Sequence, residues 1–257
     1  MRTTVFALRL RVFVQLVVEE NIMETMRVLR SLAIIVFAAG VLAGCAGRPG
    51  QKAESEGRKE SGTAQVSPPE DLMREHGVLR RILLVYEEAI RRIEANQDIP
   101  PQALADSAGI VRRFVEDYHE KLEEDHIFPK FEQAGKLVDL VQTLRAQHKA
   151  GRSLTDEIQR LSTPTAMKDA DSRKKLADAL RKFIAMYQVH AAREDTVLFP
   201  AIRDVVTPEE FDAMGDQFEA KENELFGEGG FEKVVEQVAA IEKTLGIYEL
   251  DQFTPAP

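Results

Sequence analysis

The chain has 257 residues, one cysteine and no tryptophan, and a formal net charge of -9 at pH 7. That length allows one domain of ordinary size plus extra segments, and the acidic balance, with a pI near 5.2, argues against a nucleic-acid binder, which needs a basic face for phosphates. A single cysteine excludes an internal disulfide, a cysteine-rich zinc site and a cysteine-ligated iron–sulfur cluster, so any metal must be held by nitrogen and oxygen.

Near the N-terminus, Arg27 and Arg30 precede an apolar run, Ser31 to Leu42, which leads into Ala43-Gly44-Cys45. This is a charged region, a short hydrophobic region and a small-residue cleavage site, the pattern of a signal peptide over residues 1–45. The run falls short of the about 20 apolar residues that span a bilayer. Leu42-Ala43-Gly44-Cys45 resembles the bacterial lipobox, in which the chain is cut before the cysteine and the thiol receives a diacylglycerol. The alternative is an uncleaved membrane anchor with a chance cysteine. The lipobox reading makes the protein exported and lipid-anchored through Cys45 to a bacterial membrane, facing the periplasm or the cell exterior. Glu19, Glu20 and Glu24 are poor company for a signal peptide, which puts the true start at Met23 or Met26.

Residues 46–66, rich in Gly, Ser, Lys, Glu and Gln, read as a flexible linker. Ser67-Pro68-Pro69-Glu70 then forms a capping box with proline in the first turn, a helix start. Leu72, His76, Leu79, Leu83, Tyr86 and Ile90 follow at steps of three and four. A turn at Asn96 to Pro101 leads to a second helix, with Leu104, Ile110, Phe114, Leu122 and Phe128 up to Pro129. The third runs from about Lys136 through Leu144 and His148 to Leu161, where Ser162-Thr163-Pro164 breaks it. The fourth carries Leu176, Leu180, Phe183, Tyr187, His190 and Val197 to Pro200. Two shorter helices follow, one opened by Thr207-Pro208-Glu209-Glu210 and one from Phe231 to Leu245. The expected fold is all-α: an antiparallel up-down four-helix bundle over residues 67–205, with two additional C-terminal helices in an extension over 206–257.

The strongest signal is an internal repeat. His119-x3-Glu123-Glu124 leads to Phe128-Pro129, and His190-x3-Glu194-Asp195 leads to Phe199-Pro200. Each copy follows a lone histidine at a matching distance, with His76 lying 43 residues before His119 and His148 lying 42 before His190. Residues four apart on a helix differ by roughly 40° in azimuth and roughly 6 Å in rise, so each His-x3-Glu projects as a chelating pair. Two such pairs on facing helices would set two carboxylates between two metals, with two imidazoles on each metal. These donors suit iron, manganese or zinc, and carboxylate bridging in a bundle favours di-iron or di-manganese. One histidine on an apolar stripe is ordinarily core; a repeat with matched spacing is not explained that way.

Over residues 68–203 these motifs resemble the hemerythrin-like HHE cation-binding proteins. The resemblance implies a hemerythrin-like bundle with two non-haem iron ions, Glu123 and Glu194 as bridging carboxylates, and His76, His119, His148 and His190 as terminal ligands. Two departures separate the chain from oxygen-carrying hemerythrins. Leu144 stands where those proteins have a histidine four residues before His148, and Glu194 matches the first repeat better than Asp195, which sits at their aspartate position. The ligand set is closer to that of the iron-centre repair proteins of the same superfamily.

His126, Tyr187, Glu124 and Asp195 are candidates for outer partners of the ligands. Tyr187, three residues before His190, offers either a donor to a bound oxygen species or plain packing. Gly151, three after His148, offers room beside the metal or only a weakened helix. Three functions compete: a di-iron protein binding oxygen or nitric oxide, a di-iron redox enzyme acting on peroxide or nitric oxide with an external electron donor, and a lipoprotein that only holds metal. No haem, flavin or iron–sulfur motif is present to deliver electrons, which favours a binding protein over a dedicated enzyme.

Overall fold

The computed structural model describes residues 66–255, which are helical with short connections and, among the described residues, contain no strand. The expected signal peptide, Cys45 and all of the expected linker but Val66 lie outside the described residues. Helix α1 is Pro68–Glu94. The Glu70 carboxylate accepts from the Ser67 backbone N–H at 3.0 Å and from its hydroxyl at 2.7 Å, closing the helix start that the sequence indicates.

The second run, 101–134, is α2, and it is not a uniform α-helix. It begins as Pro101–Ile110, widens to a π-helix over Val111–His119, returns to α for Glu120–Leu122, widens again over Glu123–Ile127 and ends as Phe128–Ala134. Pro129 therefore does not terminate the helix as its place in the sequence indicates. A proline cannot donate to the carbonyl four residues back, and the wide π turn ahead of it absorbs that gap. Gly135 at φ 64° and Leu137 at φ 51° then turn the chain.

Helix α3 is Val138–Leu161. The next run, 170–204, is α4: an α-helix over Ala170–Arg193, a π turn over Glu194–Leu198 and a 3-10 turn over Phe199–Asp204. It starts six residues before the first stripe residue, Leu176, because the Asp169 side chain accepts from the Ser172 N–H at 2.8 Å. Helix α5 is Pro208–Phe226, opened by the Thr207–Glu210 capping box, and α6 is Gly230–Leu245.

Helix α1 packs along α2 and α4, and α3 packs along the same two, so four runs enclose one core. Leu72, Leu79, Ile82, Phe114, Leu144, Leu180 and Phe183 are almost fully buried within it. Helix α6 lies against α1 and the start of α2, and α5 packs on α6, α1 and the first π segment of α2. The apolar stripe of α6, Val234, Val238, Ile241 and Leu245, is buried in that contact.

Candidate metal centre

All six repeat residues meet in the core. His76 and His119 arrive from α1 and α2, His148 and His190 from α3 and α4, and none of the four, nor Glu123 or Glu194, is more than 3% exposed. The imidazoles form two pairs: the Nε2 atoms of His76 and His119 lie 3.1 Å apart, those of His148 and His190 3.2 Å apart. The glutamates stand between the pairs. Glu123 Oε2 is 3.8 Å from His119 Nε2 and 3.4 Å from His148 Nε2. Glu194 Oε2 is 3.1 Å from His190 Nε2 and 3.4 Å from His76 Nε2. Each carboxylate thus reaches one histidine of each pair.

The opposite edge of every ring is tied outward, and the ties repeat. His76 Nδ1 lies 2.7 Å from Asp195 and His148 Nδ1 3.1 Å from Glu124, so each lone histidine bonds the acid that follows the glutamate of the other half. His119 Nδ1 lies 2.6 Å from Glu75 and His190 Nδ1 2.9 Å from the Gln147 side-chain oxygen, in each case the residue just before its own half's lone histidine. Carboxylate oxygens and an amide oxygen accept, so each Nδ1 donates and, in the neutral ring that ligates a metal, each Nε2 keeps its lone pair toward the centre. Arg80 ion-pairs with Asp195, and Arg152 reaches Glu124 at 2.8 Å; both arginines lie four residues after a lone histidine. Phe199 stacks on His76 at 5.5 Å and Phe128 on His148 at 5.4 Å, which gives the repeated Phe-Pro a role in fixing ring orientation.

The interior electrostatics call for positive charge. All four oxygens of Glu123 and Glu194 are buried without a hydrogen bond of ordinary geometry, a costly state for carboxylates. Burial, then the neighbouring Glu194, pushes Glu123 well above the usual carboxylate range. Burial opposes charge on His76, but Asp195 and Glu194 outweigh it and raise its pKa to about 9. His119 is pushed well down by burial and then by the charge of His76, and burial lowers His148 to about 4. In the protein alone, a proton on His76 therefore stands where a cation would, between two nitrogens that otherwise repel. One oxygen or nitrogen from each of Glu123, His148, His190 and Glu194, and one from each of His76, His119 and Glu194, lie within 4.8 Å of one another. These buried clusters fit a metal site.

Glu124 and Asp195 lie against His148 and His76. His126 does not: its ring meets Phe218 of α5 at 5.9 Å. An ordinary helix would return it to the face of His119 after seven residues, but the π turn over Glu123–Ile127 takes more residues per turn and rotates it outward. Tyr187 packs at 5.5 Å edge-on to His190, and its hydroxyl donates to Glu120 at 2.7 Å. Gly151 makes room for that hydroxyl rather than for a metal ligand, since a Cβ there would lie 2.0 Å from it. Leu144 is core, as is Leu72 four residues before His76.

Sequence reasoning missed Glu75, Gln147, Arg80, Arg152 and the buried Glu120. The first four had a signal: Glu75-His76 with Arg80 four residues on, and Gln147-His148 with Arg152 four residues on, are a second repeat inside the first.

The model of the hemerythrin HHE cation binding domain matches residues 67–202 and 139–225. An uncharacterized protein of Mycobacterium bovis and one of Mycobacterium tuberculosis are each 51% identical to this chain over 230 residues, covering 88% of it and 89% of the relative. No solved structure matches. The chain belongs to the hemerythrin HHE cation-binding domain family, and its buried histidine and glutamate clusters fit a metal site.

Proposed function

We propose that His76, His119, Glu123, His148, His190 and Glu194 hold two non-haem iron ions, with Glu123 and Glu194 shared between them, and that the centre binds dioxygen, nitric oxide or a related small ligand. The observation that carries this reading is the convergence of four Nε2 atoms on two carboxylates that each touch both histidine pairs. Nitrogen and carboxylate donors in a helical bundle favour iron over zinc, with manganese next. When bound, a reducible iron pair with open coordination positions supplies the affinity for a diatomic ligand. The protein's own part is to keep the four rings in one tautomer through Asp195, Glu75, Glu124 and Gln147, and to exclude bulk water by burial.

Reversible binding is favoured over a redox enzyme because the sequence shows no haem, flavin or iron–sulfur motif to deliver electrons; Tyr187, the donor the sequence offers to a bound oxygen species, is committed to Glu120. An enzymatic role would also need an external electron donor. Metal analysis with an absorption spectrum tests the centre: about two iron ions per chain, with ferric-pair absorption, is the expected result, and zinc alone would overturn it. Stopped-flow mixing of the reduced protein with oxygen tests the function. A long-lived, reversible oxygenated band supports binding, and rapid irreversible oxidation would count against it.

For the N-terminal segment we propose export and lipid anchoring at Cys45, on the strength of Leu42-Ala43-Gly44-Cys45 and the chain's single cysteine. Cys45→Ser should move the protein from the membrane to the soluble fraction; unchanged fractionation would refute the anchor.

A further inference from the structure

The two histidine pairs are built on one repeat, yet the carboxylates between them do not stand midway. Glu123 Oε2 is 3.4 Å from His148 Nε2 and 3.8 Å from His119 Nε2, and Glu194 Oε2 is 3.1 Å from His190 Nε2 and 3.4 Å from His76 Nε2. Both lean toward the pair carried by α3 and α4. Four donors, from Glu123, His148, His190 and Glu194, therefore converge within 4.8 Å at that pair, against three, from His76, His119 and Glu194, at the other. Donors already in place cost nothing to order when an ion arrives, so the fuller set binds more tightly.

The supports behind the rings are unequal in the same sense. Behind His148, Glu124 is held by Arg152, which also pairs at 2.9 Å with the buried Glu120, and Glu120 accepts from the Tyr187 hydroxyl at 2.7 Å. Behind His76, Asp195 is held by Arg80, whose side chain is 49% exposed against 29% for Arg152. An ion pair made by a half-exposed arginine opens at little cost, whereas a network anchored on a buried carboxylate does not. One difference runs the other way: His119 is backed by the Glu75 carboxylate, and His190 by the neutral Gln147 amide. The carboxylate makes one ring a better donor, but the lean of Glu123 gives the opposite pair a whole donor, so the donor count prevails.

We infer that the two metal positions fill in order: the one at His148 and His190 takes the first ion and retains it, and the one at His76 and His119 holds a second, exchangeable ion on the side of Asp195 and Arg80. The inference rests on the proposed two-ion reading of the six residues. It gives the duplicated halves different tasks, one keeping the centre assembled and the other trading its ion with solution.

Cobalt(II) is the probe, because its absorption reports ligation without redox chemistry. The full chain is loaded with cobalt and challenged with excess EDTA in wild type, His76→Ala, His190→Ala, Arg80→Ala and Arg152→Ala, with circular dichroism checking the fold. Wild type should lose one cobalt per chain quickly and the second at least about 10-fold more slowly. The slow ion should survive in His76→Ala and be lost in His190→Ala. If a histidine variant unfolds, the arginine variants decide: Arg80→Ala should speed only the fast phase and Arg152→Ala only the slow one. A single phase for both wild-type ions, or a slow ion that survives in His190→Ala but not in His76→Ala, would overturn the inference, as would the reverse assignment of phases by the arginine variants. One cobalt per wild-type chain would instead defeat the two-ion reading, and the order of the two positions would still be decided by which variant keeps that ion.

Discussion

The Nε2 atoms of His76 and His119 face each other across 3.1 Å, while their Nδ1 atoms are held 2.7 Å and 2.6 Å from Asp195 and Glu75. Rings fixed this way cannot turn aside, so the space between them takes either a proton or a metal ion. His148 and His190 repeat the arrangement 3.2 Å apart. Four predictions follow from this shared geometry and from the packing around it.

Glu123→Ala should lose most of the bound metal. Glu123 reaches His119 and His148, one from each pair, so its removal strips a donor shared by both halves. Iron per chain after dialysis measures the loss, and full retention would reject the shared role.

Metal uptake should release protons. Ligation requires His76 neutral and Glu123 ionised, whereas the protein alone holds His76 at about 9 and Glu123 well above its ordinary value. His76 therefore carries a proton at neutral pH that the metal must displace, and Glu123 holds its proton to higher pH than an ordinary carboxylate. The sign is that affinity falls as pH falls below about 9, with the steepness set by the number of protons lost. Calorimetry in two buffers of different ionisation enthalpy counts them; a count of zero would contradict the arrangement.

Arg152→Ala and Arg80→Ala should each weaken metal binding by roughly 10- to 100-fold, the usual effect of removing a group that orients a ligand's partner. Arg152 holds Glu124, which holds His148; Arg80 holds Asp195, which holds His76. Competition with a chelator gives the affinities. Wild-type affinity in both variants would show that the arginines only decorate the surface.

Gly151→Ala should destabilise the fold despite alanine's better helix propensity. The propensity gain is about 1 kcal/mol, while a Cβ 2.0 Å from the Tyr187 hydroxyl and 2.7 Å from its ring forces a shift that costs about 1–3 kcal/mol or more. The shift also strains the bond to Glu120. Thermal unfolding should show a lower midpoint. Tyr187→Phe in the same chain should recover only part of it, because the ring edge still collides. A midpoint above wild type would mean that the tyrosine moves freely.

The helices were legible without coordinates, because apolar spacing at three and four residues and the capping boxes at Ser67 and Thr207 are local properties of the chain. The sequence also singled out the six inner residues, since duplication with matched spacing is visible in the chain alone. A further repeat, His76 with Arg80 and His148 with Arg152, was equally present but lacks meaning until its partners are known. Those partners lie far away: Asp195 is 119 residues from His76, in the other half of the bundle. Periodicity says which face a residue occupies, and only packing says what stands opposite that face. The π turns at Glu123–Ile127 and Glu194–Leu198 decided the rest. By adding residues to a turn they turned His126 toward α5 and kept Pro129 inside the helix, and no local spacing rule built on 3.6 residues per turn anticipates that rotation.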